Sequence, residues 1–417
     1  LAHYIIPLKG IFDKIHFYQM TREKYFTLIL ILGSLTALGP FSIDMYLPGF
    51  SAIAADLDTS VNKVSLSLSS YFIGISAGQL LYGPLLDRFG RKNPLYIGLA
   101  VYILASVGCA FTRNIDIFIA LRFIQAIGSC AAAVASMAMV RDLFPADATP
   151  KVFSLLMLVV GLSPMLAPTI GGYVTAGFGW QMIFIILTLM GISVLLASRF
   201  GLPHTHKPDL SISLKPRPIL LNFAKVMRNP QFFTYAFSGA VAFSGLFTYV
   251  AGSPLLFMDI FKVSEKMYGW IFAFMSVSFI GSSQLNSWLL RKYKSEQLVY
   301  FALSLQCAVS LVFLVLAING WLNLYGTIAM LFLYLACLGL SNPNTAGLSL
   351  APFPENAGSA SALLGALQLG LGALASVAVG IFVKDSMVPI VAIMVCGTVL
   401  ALLILIIGRK KIAQRLV

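Results

Sequence analysis

Gly83-Pro84-Leu85-Leu86-Asp87-Arg88-Phe89-Gly90-Arg91-Lys92 is a short charged break at the junction of two long apolar stretches, 63–86 and 93–112. Gly83 carries no Cβ to hold off a neighbouring helix. Gly90 permits the tight turn that so short a connection demands. Asp87 is placed to meet a neighbouring helix N-terminus or a basic partner. A basic loop that only fixed topology would account for Arg88, Arg91 and Lys92, but not for two glycines and an acid among them.

Outward from this loop the chain is almost entirely apolar. Of its 417 residues 59% are hydrophobic and 10% are charged, with a mean hydropathy of +0.90. A soluble domain carries about 25% charged residues, so this surface cannot be solvated by water. A spanning helix needs ~20 apolar residues, and in lipid the backbone must pair within the segment. That ruler predicts twelve helices, at 25–48, 63–86, 93–112, 115–140, 152–176, 180–202, 231–258, 266–290, 296–318, 323–350, 357–383 and 387–408. The fold class is therefore an all-α membrane protein.

The net charge of +13 raises the question of a nucleic-acid partner, and its distribution answers it. With both termini inside, the outside loops hold five basic residues: Lys63, Arg113, Lys262, Lys266 and Lys384. Arg122 lies within a span, and the other 22 of the 28 Lys and Arg flank inside ends. Such asymmetry is the positive-inside pattern of a multi-pass cell-membrane protein with cytoplasmic termini. No nucleic-acid partner is expected. Cys109, Cys130, Cys307, Cys337 and Cys396 fall inside apolar stretches without metal-ligand spacing and read as packing residues. His3, His16, His204 and His206 all lie outside the spans, so no intramembrane histidine carries protons.

Residues 1–24 read as a basic segment at the membrane surface, and Lys9, Asp13, Lys14 and His16 rule out a cleavable signal core. The proline-punctuated stretch 203–230 reads as a cytoplasmic linker between six-helix halves, 25–202 and 231–408, with a basic tail at 409–417. An internal repeat supports the split. Phe144-Pro145-Ala146-Asp147-Ala148 before the fifth segment echoes Phe353-Pro354-Glu355-Asn356-Ala357 before the eleventh, and Leu85-Leu86 with Arg88 echoes Leu289-Leu290 with Lys292. Two pseudo-symmetric bundles with a midplane site between them form an alternating-access architecture.

The loop from Gly83 to Lys92 matches every fixed position of G-x-L-x-D-R-x-G-R-K, the signature of the major facilitator superfamily, which the whole chain resembles. The resemblance implies a latch between the halves made by Gly83, Asp87, Arg88, Gly90 and Arg91. Asp87 would meet the start of the eleventh helix, and Arg91 would pair with an acid such as Asp142.

Arg122, in Leu121-Arg122-Phe123-Ile124-Gln125-Ala126-Ile127-Gly128, is the one base placed deep in a span. A central arginine costs ~2.5–3.5 kcal/mol on insertion scales, so it demands a partner or a wet cavity. The segment resembles the superfamily's fourth-helix motif, whose arginine is associated with proton coupling; a purely structural arginine bonded to backbone carbonyls is the alternative. Asp44, in Ser42-Ile43-Asp44-Met45-Tyr46-Leu47-Pro48, is the matching acid. At ~1.5 Å per residue both lie roughly 9–11 Å below the outer boundary, where they can pair or share a water chain.

The fifth helix carries Gly161-Leu162-Ser163-Pro164-Met165-Leu166-Ala167-Pro168-Thr169-Ile170-Gly171-Gly172. It resembles the antiporter motif G-x-x-x-G-P-x-x-G-G, with Ala167 where a second glycine is usual. Gly161, Pro164, Pro168, Gly171 and Gly172 thus imply an exporter. With Asp44-Met45-Tyr46-Leu47-Pro48, the chain resembles the bicyclomycin-resistance (Bcr/CflA) branch of drug:proton antiporters. That branch implies multidrug efflux and antibiotic resistance in a bacterial inner membrane, with protons as the coupling ion, no other cofactor, no metal and a monomer. An apolar pocket with a few polar anchors is expected, and its candidates are Tyr46, Gln125, Met165, Phe243, Phe247, Phe274, Asn342 and Gln368. A carrier of a natural metabolite (sugar, amino acid or siderophore) and a non-transporting receptor or scaffold are the competing readings. No His-Glu-x-x-His and no paired aspartates lie in the spans, so no enzyme is expected.

Overall fold

The computed structural model describes residues 22–145, 149–203, 208, 223–353, 357–383 and 386–413. Residues 1–21 of the expected N-terminal segment, most of the 203–230 linker, residues 146–148 and 354–356 of the internal echo, and the end of the basic tail lie outside the described residues. Every regular element among those described is helical. The first half comprises α1 (Arg22–Asp44), a 3₁₀ turn (Leu47–Gly49), α2 (Phe50–Asp56), α3 (Val61–Phe89), α4 (Lys92–Phe111), α5 (Ile115–Leu143), α6 (Thr149–Phe178) and α7 (Gln181–Gly201). The second comprises α8 (Pro230–Pro254) running into a π-helical segment (Leu255–Ile260), α9 (Glu265–Leu289), α10 (Ser295–Ile318), α11 (Leu324–Leu350), α12 (Ala357–Phe382) and α13 (Val388–Ala413).

All twelve expected segments are present. Among the described residues, eleven helical stretches are long and apolar enough to cross a membrane. The twelfth, α9, is as long (25 residues) but carries Ser276, Ser278, Ser282, Ser283, Gln284 and Asn286. Helix starts in the short connections are fixed by side chains that take up free backbone N–H groups. Asn114 Oδ1 accepts from the N–H groups of Asp116 and Ile117 (2.8 and 3.1 Å), and Asn229 Oδ1 from those of Gln231 and Phe232 (2.9 and 3.1 Å). Gly90 sits at φ +79°, the left-handed turn its position called for. Large apolar side chains such as Leu104, Phe200 and Trp321 point outward, as expected where lipid is the solvent.

The two-fold relation between the halves is visible in the packing. In the first half α3 and α4 pack on α5, α4 on α7, and α1 on α5, α6 and α7. In the second, α9 and α10 pack on α11, α10 on α13, and α8 on α11, α12 and α13, which is the same set six spans later. The halves meet chiefly through α3 against α12 and α6 against α9, pairs that the two-fold exchanges. The first span of each half is irregular near the same end, at Leu47–Gly49 and at Leu255–Ile260.

The boundary that differs most from expectation is that of the first span. The first span does not end near Pro48 but resumes as α2 and reaches Asp56. Proline lacks an N–H and interrupts the hydrogen-bond ladder, yet the chain stays in line. Trp180 Nε1 and Gln181 Nε2 donate to Asp56 Oδ2 (3.1 and 2.9 Å) and tie the far end of α2 to the start of α7. Asp44 therefore sits at a break in mid-span, deeper than its distance from Pro48 suggested.

Candidate functional site

The break after α1 leaves carbonyls without helical partners. Arg122 of α5 supplies one: its Nη2 donates to the Ser42 carbonyl at 2.9 Å. Nη1 donates to Gln125 Oε1, and Gln125 Nε2 in turn donates to Ser106 Oγ at 2.7 Å. The guanidinium is held between the rings of Tyr46 and Tyr71, 4.2 Å from each centroid. Those tyrosines are anchored by Ser67 (3.2 Å) and Ser129 (2.8 Å). Arg122 is completely buried. Its charge is compensated by a carbonyl, an amide and two aromatic faces, each a favourable partner for a desolvated cation.

Asp44 faces the other way. It lines a cavity of about 250 Å³ between the halves, whose wall also includes Phe72, Phe243, Phe247, Tyr249, Phe272 and Phe279. Phe72 of α3 meets Phe247 of α8 edge-on with centroids 4.5 Å apart, so the aromatic wall spans both halves. The expected Asp44–Arg122 pair is not formed: no ion pair joins them among the described residues, because Arg122 is spent on the Ser42 carbonyl and Gln125 behind the helix break. A larger crevice, about 590 Å³, opens between α1, α6 and α7, and no titratable group lines it among the described residues.

Of the expected pocket residues, Phe243 and Phe247 line the cavity. The others stand elsewhere. Tyr46 and Gln125 are fully buried around Arg122. Asn342 Oδ1 accepts from Gln368 Nε2 at 3.0 Å, a bond that joins α11 to α12. Met165 does not line this cavity, and Phe274 is 51% exposed on the outside of α9, stacked on Phe332. Apolar rings are equally at home against lipid and inside a bundle, so Phe274 carried no directional signal. Pro40, Phe72, Phe272, Phe279 and above all Tyr249 were missed; a tyrosine inside a span, which needs a partner for its hydroxyl, was the available signal.

The glycines of the α6 motif seat that helix against two neighbours. A Cβ at Gly171 would run into the backbone carbonyl of Met45, next to Asp44, and one at Gly172 into the backbone of Glu265 at the start of α9. Gly161 and Pro164 line the cavity itself. Gly171→Ala must therefore push the Asp44 bend off α6, at about 1–3 kcal/mol. A lower melting temperature in detergent is the expected outcome. Gly161→Ala, whose new methyl meets only Ile280 at 3.8 Å, serves as the tolerated control. Equal melting of both variants would contradict this account of the packing.

At the end of the bundle that carries the Gly83–Lys92 loop, Arg91 Nε donates to Asp142 Oδ2 at 2.9 Å, and its Nη1 to Asp87 Oδ1 at 2.5 Å. Burial alone would lower the Arg91 pKa, but the bonds to Asp142 and Asp87 and their charges outweigh it and raise the value. Asp87 thus bonds within its own loop, and the start of α12 that it was expected to meet includes side chains outside the described residues. Among the described residues nothing lies within 4 Å of a Cβ placed at Gly83. The opposite end is bridged between the halves. Ser51 donates to Asp259 Oδ1 (3.1 Å), Asn62 Nδ2 to the Val383 carbonyl, and Thr169 Oγ1 to the Gly269 carbonyl (3.2 Å). Lys266 lies over the Tyr173 ring.

Residues 32–377, nearly the whole of this helical array, match the family model of the Major Facilitator Superfamily. The chain belongs to the Major Facilitator Superfamily. Among the superfamily's curated members it is 33% identical over 382 residues to a bicyclomycin resistance protein homologue of Haemophilus influenzae, covering 92% of this chain and 96% of that one. It is 33% identical over 377 residues to the uncharacterized MFS-type transporter YdgK of Bacillus subtilis (90% and 93%). It is 32% identical over 382 residues to the multidrug resistance protein MdtL of Escherichia coli (87% and 93%). Among solved structures it superposes on a D-xylose–proton symporter with a TM-score of 0.73 at 17% identity, covering 91% of this chain and 97% of that one. It also superposes on a bacterial homologue of the lysosomal transporter Spinster, in an inward-facing and unoccupied conformation, with a TM-score of 0.71 at 13% identity (93% and 96%). Such low identities show the superfamily fold alone. The superfamily membership makes the chain a multi-pass membrane transporter.

Proposed function

We propose that this transporter exports small amphipathic antimicrobial compounds, bicyclomycin among the candidates, in exchange for protons. The observation that carries the proposal is Asp44, the one carboxylate among the described residues in the predominantly apolar and aromatic wall of the cavity between the halves. An aromatic wall takes an amphipathic molecule with little shape selectivity, and a lone intramembrane carboxylate is a functional group by default. Asp44 exchanges a proton for substrate, and Arg122 acts as a positioning residue that holds the Ser42 carbonyl and so the break at which Asp44 sits.

The bodies that move are the two six-helix bundles, 25–202 and 231–408, joined by the linker 203–230. In this reading the Gly83–Lys92 end is cytoplasmic, as are both termini, in a bacterial inner membrane. Bridging at the opposite end suits a carrier sealed on the outside. No metal and no cofactor beyond the coupling proton is required, and one chain supplies both halves of the site, so a monomer suffices.

The test is expression in an efflux-deficient bacterial host challenged with a compound panel that includes bicyclomycin. Raised resistance to one or more compounds, with lowered cell content on energisation, is expected. Membrane-inserted protein that confers resistance to none, or that raises the cell content of a compound, would overturn export.

A further inference from the structure

Among the described residues three polar side chains line the cavity: Asp44 of α1, Tyr249 of α8 and Ser276 of α9. Ser276 is already satisfied, donating to the Phe272 carbonyl of its own helix at 2.9 Å. Tyr249 is 3% exposed, and its hydroxyl has no hydrogen-bond partner among the described residues. A buried hydroxyl in that state is destabilising. The Asp44 carboxylate likewise has neither a hydrogen bond nor an ion pair among the described residues. Tyr249 lies within electrostatic reach of Asp44, so an orphaned donor and an orphaned acceptor share one apolar chamber. They come from opposite halves of the transporter.

We propose that Tyr249 is the hydrogen-bond donor to ionised Asp44, and that this bond between halves holds the empty, deprotonated carrier in place until substrate or a proton breaks it. The proposal rests on the reading of Asp44 as the proton carrier and adds to it the group that senses its charge. A carboxylate accepts only, and an O–H···O⁻ bond is roughly twice as strong as a neutral one. Protonating Asp44 removes most of that strength, so the tie between the halves exists only in the ionised, unoccupied state. An antiporter needs such a rule, because an empty and unprotonated carrier that reoriented would dissipate the gradient. The Tyr249 ring is fixed for the role by stacking on Phe272, 5.3 Å between centroids at 27°. Its helix belongs to a well-enclosed span, with 83% of the apolar window buried.

Other titratable groups around Asp44 are few. Tyr46 follows it in the bend and packs on Arg122 of α5. Tyr268 of α9 is also within reach, but its hydroxyl is engaged with Ser253 at 2.8 Å. Asp259, in the π-helical segment, is bonded to Ser51. On α6 and α7 the titratable groups with described side chains, Tyr173 and Arg199, lie toward opposite ends of the bundle.

The test uses Tyr249→Phe, which deletes the oxygen and keeps the ring, in the purified full-length chain without substrate. Dicyclohexylcarbodiimide reacts with protonated buried carboxyls, so peptide mass spectrometry of Asp44 labelling against pH reads its titration midpoint. Loss of the donor destabilises only the ionised form, so the midpoint is expected to move up by about one to two pH units. Below the wild-type midpoint, where Asp44 is protonated, the variant should melt at or above the wild-type temperature, because the deleted hydroxyl then has no charged partner to lose. An unmoved midpoint, or an equal shift in Tyr268→Phe, overturns the assignment to Tyr249. If wild-type Asp44 shows no titration at all, the proton-carrier reading itself fails, which is a separable outcome.

Discussion

Asp44→Asn is expected to reduce pH-gradient-driven efflux from proteoliposomes to the level of protein-free vesicles, while leaving the protein folded. Asparagine keeps the shape of the carboxyl but is neutral at every pH, so it mimics a permanently protonated carrier. The side chain is 5% exposed and touches a cavity rather than a structural partner, so little packing is lost. Its melting temperature should stay near the wild-type value for that reason. If Asp44 were instead a structural acid tied to Arg122, the same substitution would strand a buried cation and lower stability markedly. Efflux and melting measured side by side therefore separate the two roles. Unchanged gradient-driven efflux would remove Asp44 from the coupling step.

Arg122→Leu is expected to do the reverse, striking the fold before the chemistry. It leaves the Ser42 carbonyl and the Gln125 amide short of a partner and empties the space between Tyr46 and Tyr71. Lost bonds and a residual cavity together amount to about 3 kcal/mol or more, seen as a lower melting temperature. Arg122→Lys keeps the charge but loses the planar fork and the flat faces that fit between two rings, so an intermediate loss is expected. Equal stability of the Lys variant and the wild type would show that charge alone matters there. Tight gradient coupling in a well-folded Leu variant would remove Arg122 from any part in positioning Asp44.

The architecture was legible because lipid imposes a length. Twelve apolar runs, a glycine-bearing charged loop after the second and a proline-rich interval after the sixth suffice to write two six-helix halves, and the packing repeats six spans later. The first span shows the limit of that ruler. Pro48 has the look of a helix end, but the chain resumes at Phe50 and continues to Asp56. That extension moves Asp44 from a shallow position to a break in the middle of the bundle. The break in turn explains why Arg122 faces a backbone carbonyl rather than a carboxylate. Freed carbonyls are created by the interruption, and no motif records them.

The pocket was only partly legible, for a different reason. In water, an aromatic residue on a helix marks the buried face; in lipid both faces are apolar and the periodic signal vanishes. Phe243 and Phe274 look alike in the sequence, yet one lines the cavity and the other stacks on Phe332 against the bilayer. Tyr249 is one of 16 tyrosines, and its burial beside Asp44, with no partner for its hydroxyl among the described residues, distinguishes it.

Proton release on substrate binding tests the central claim most directly. Purified protein in weakly buffered detergent solution, with a pH-sensitive dye, is mixed with the compound that the resistance panel identifies. Substrate and proton compete for one cavity carboxylate in this account, so the wild type acidifies the medium on binding and the Asp44→Asn variant does not. Acidification of equal size from that variant would mean that another group carries the proton.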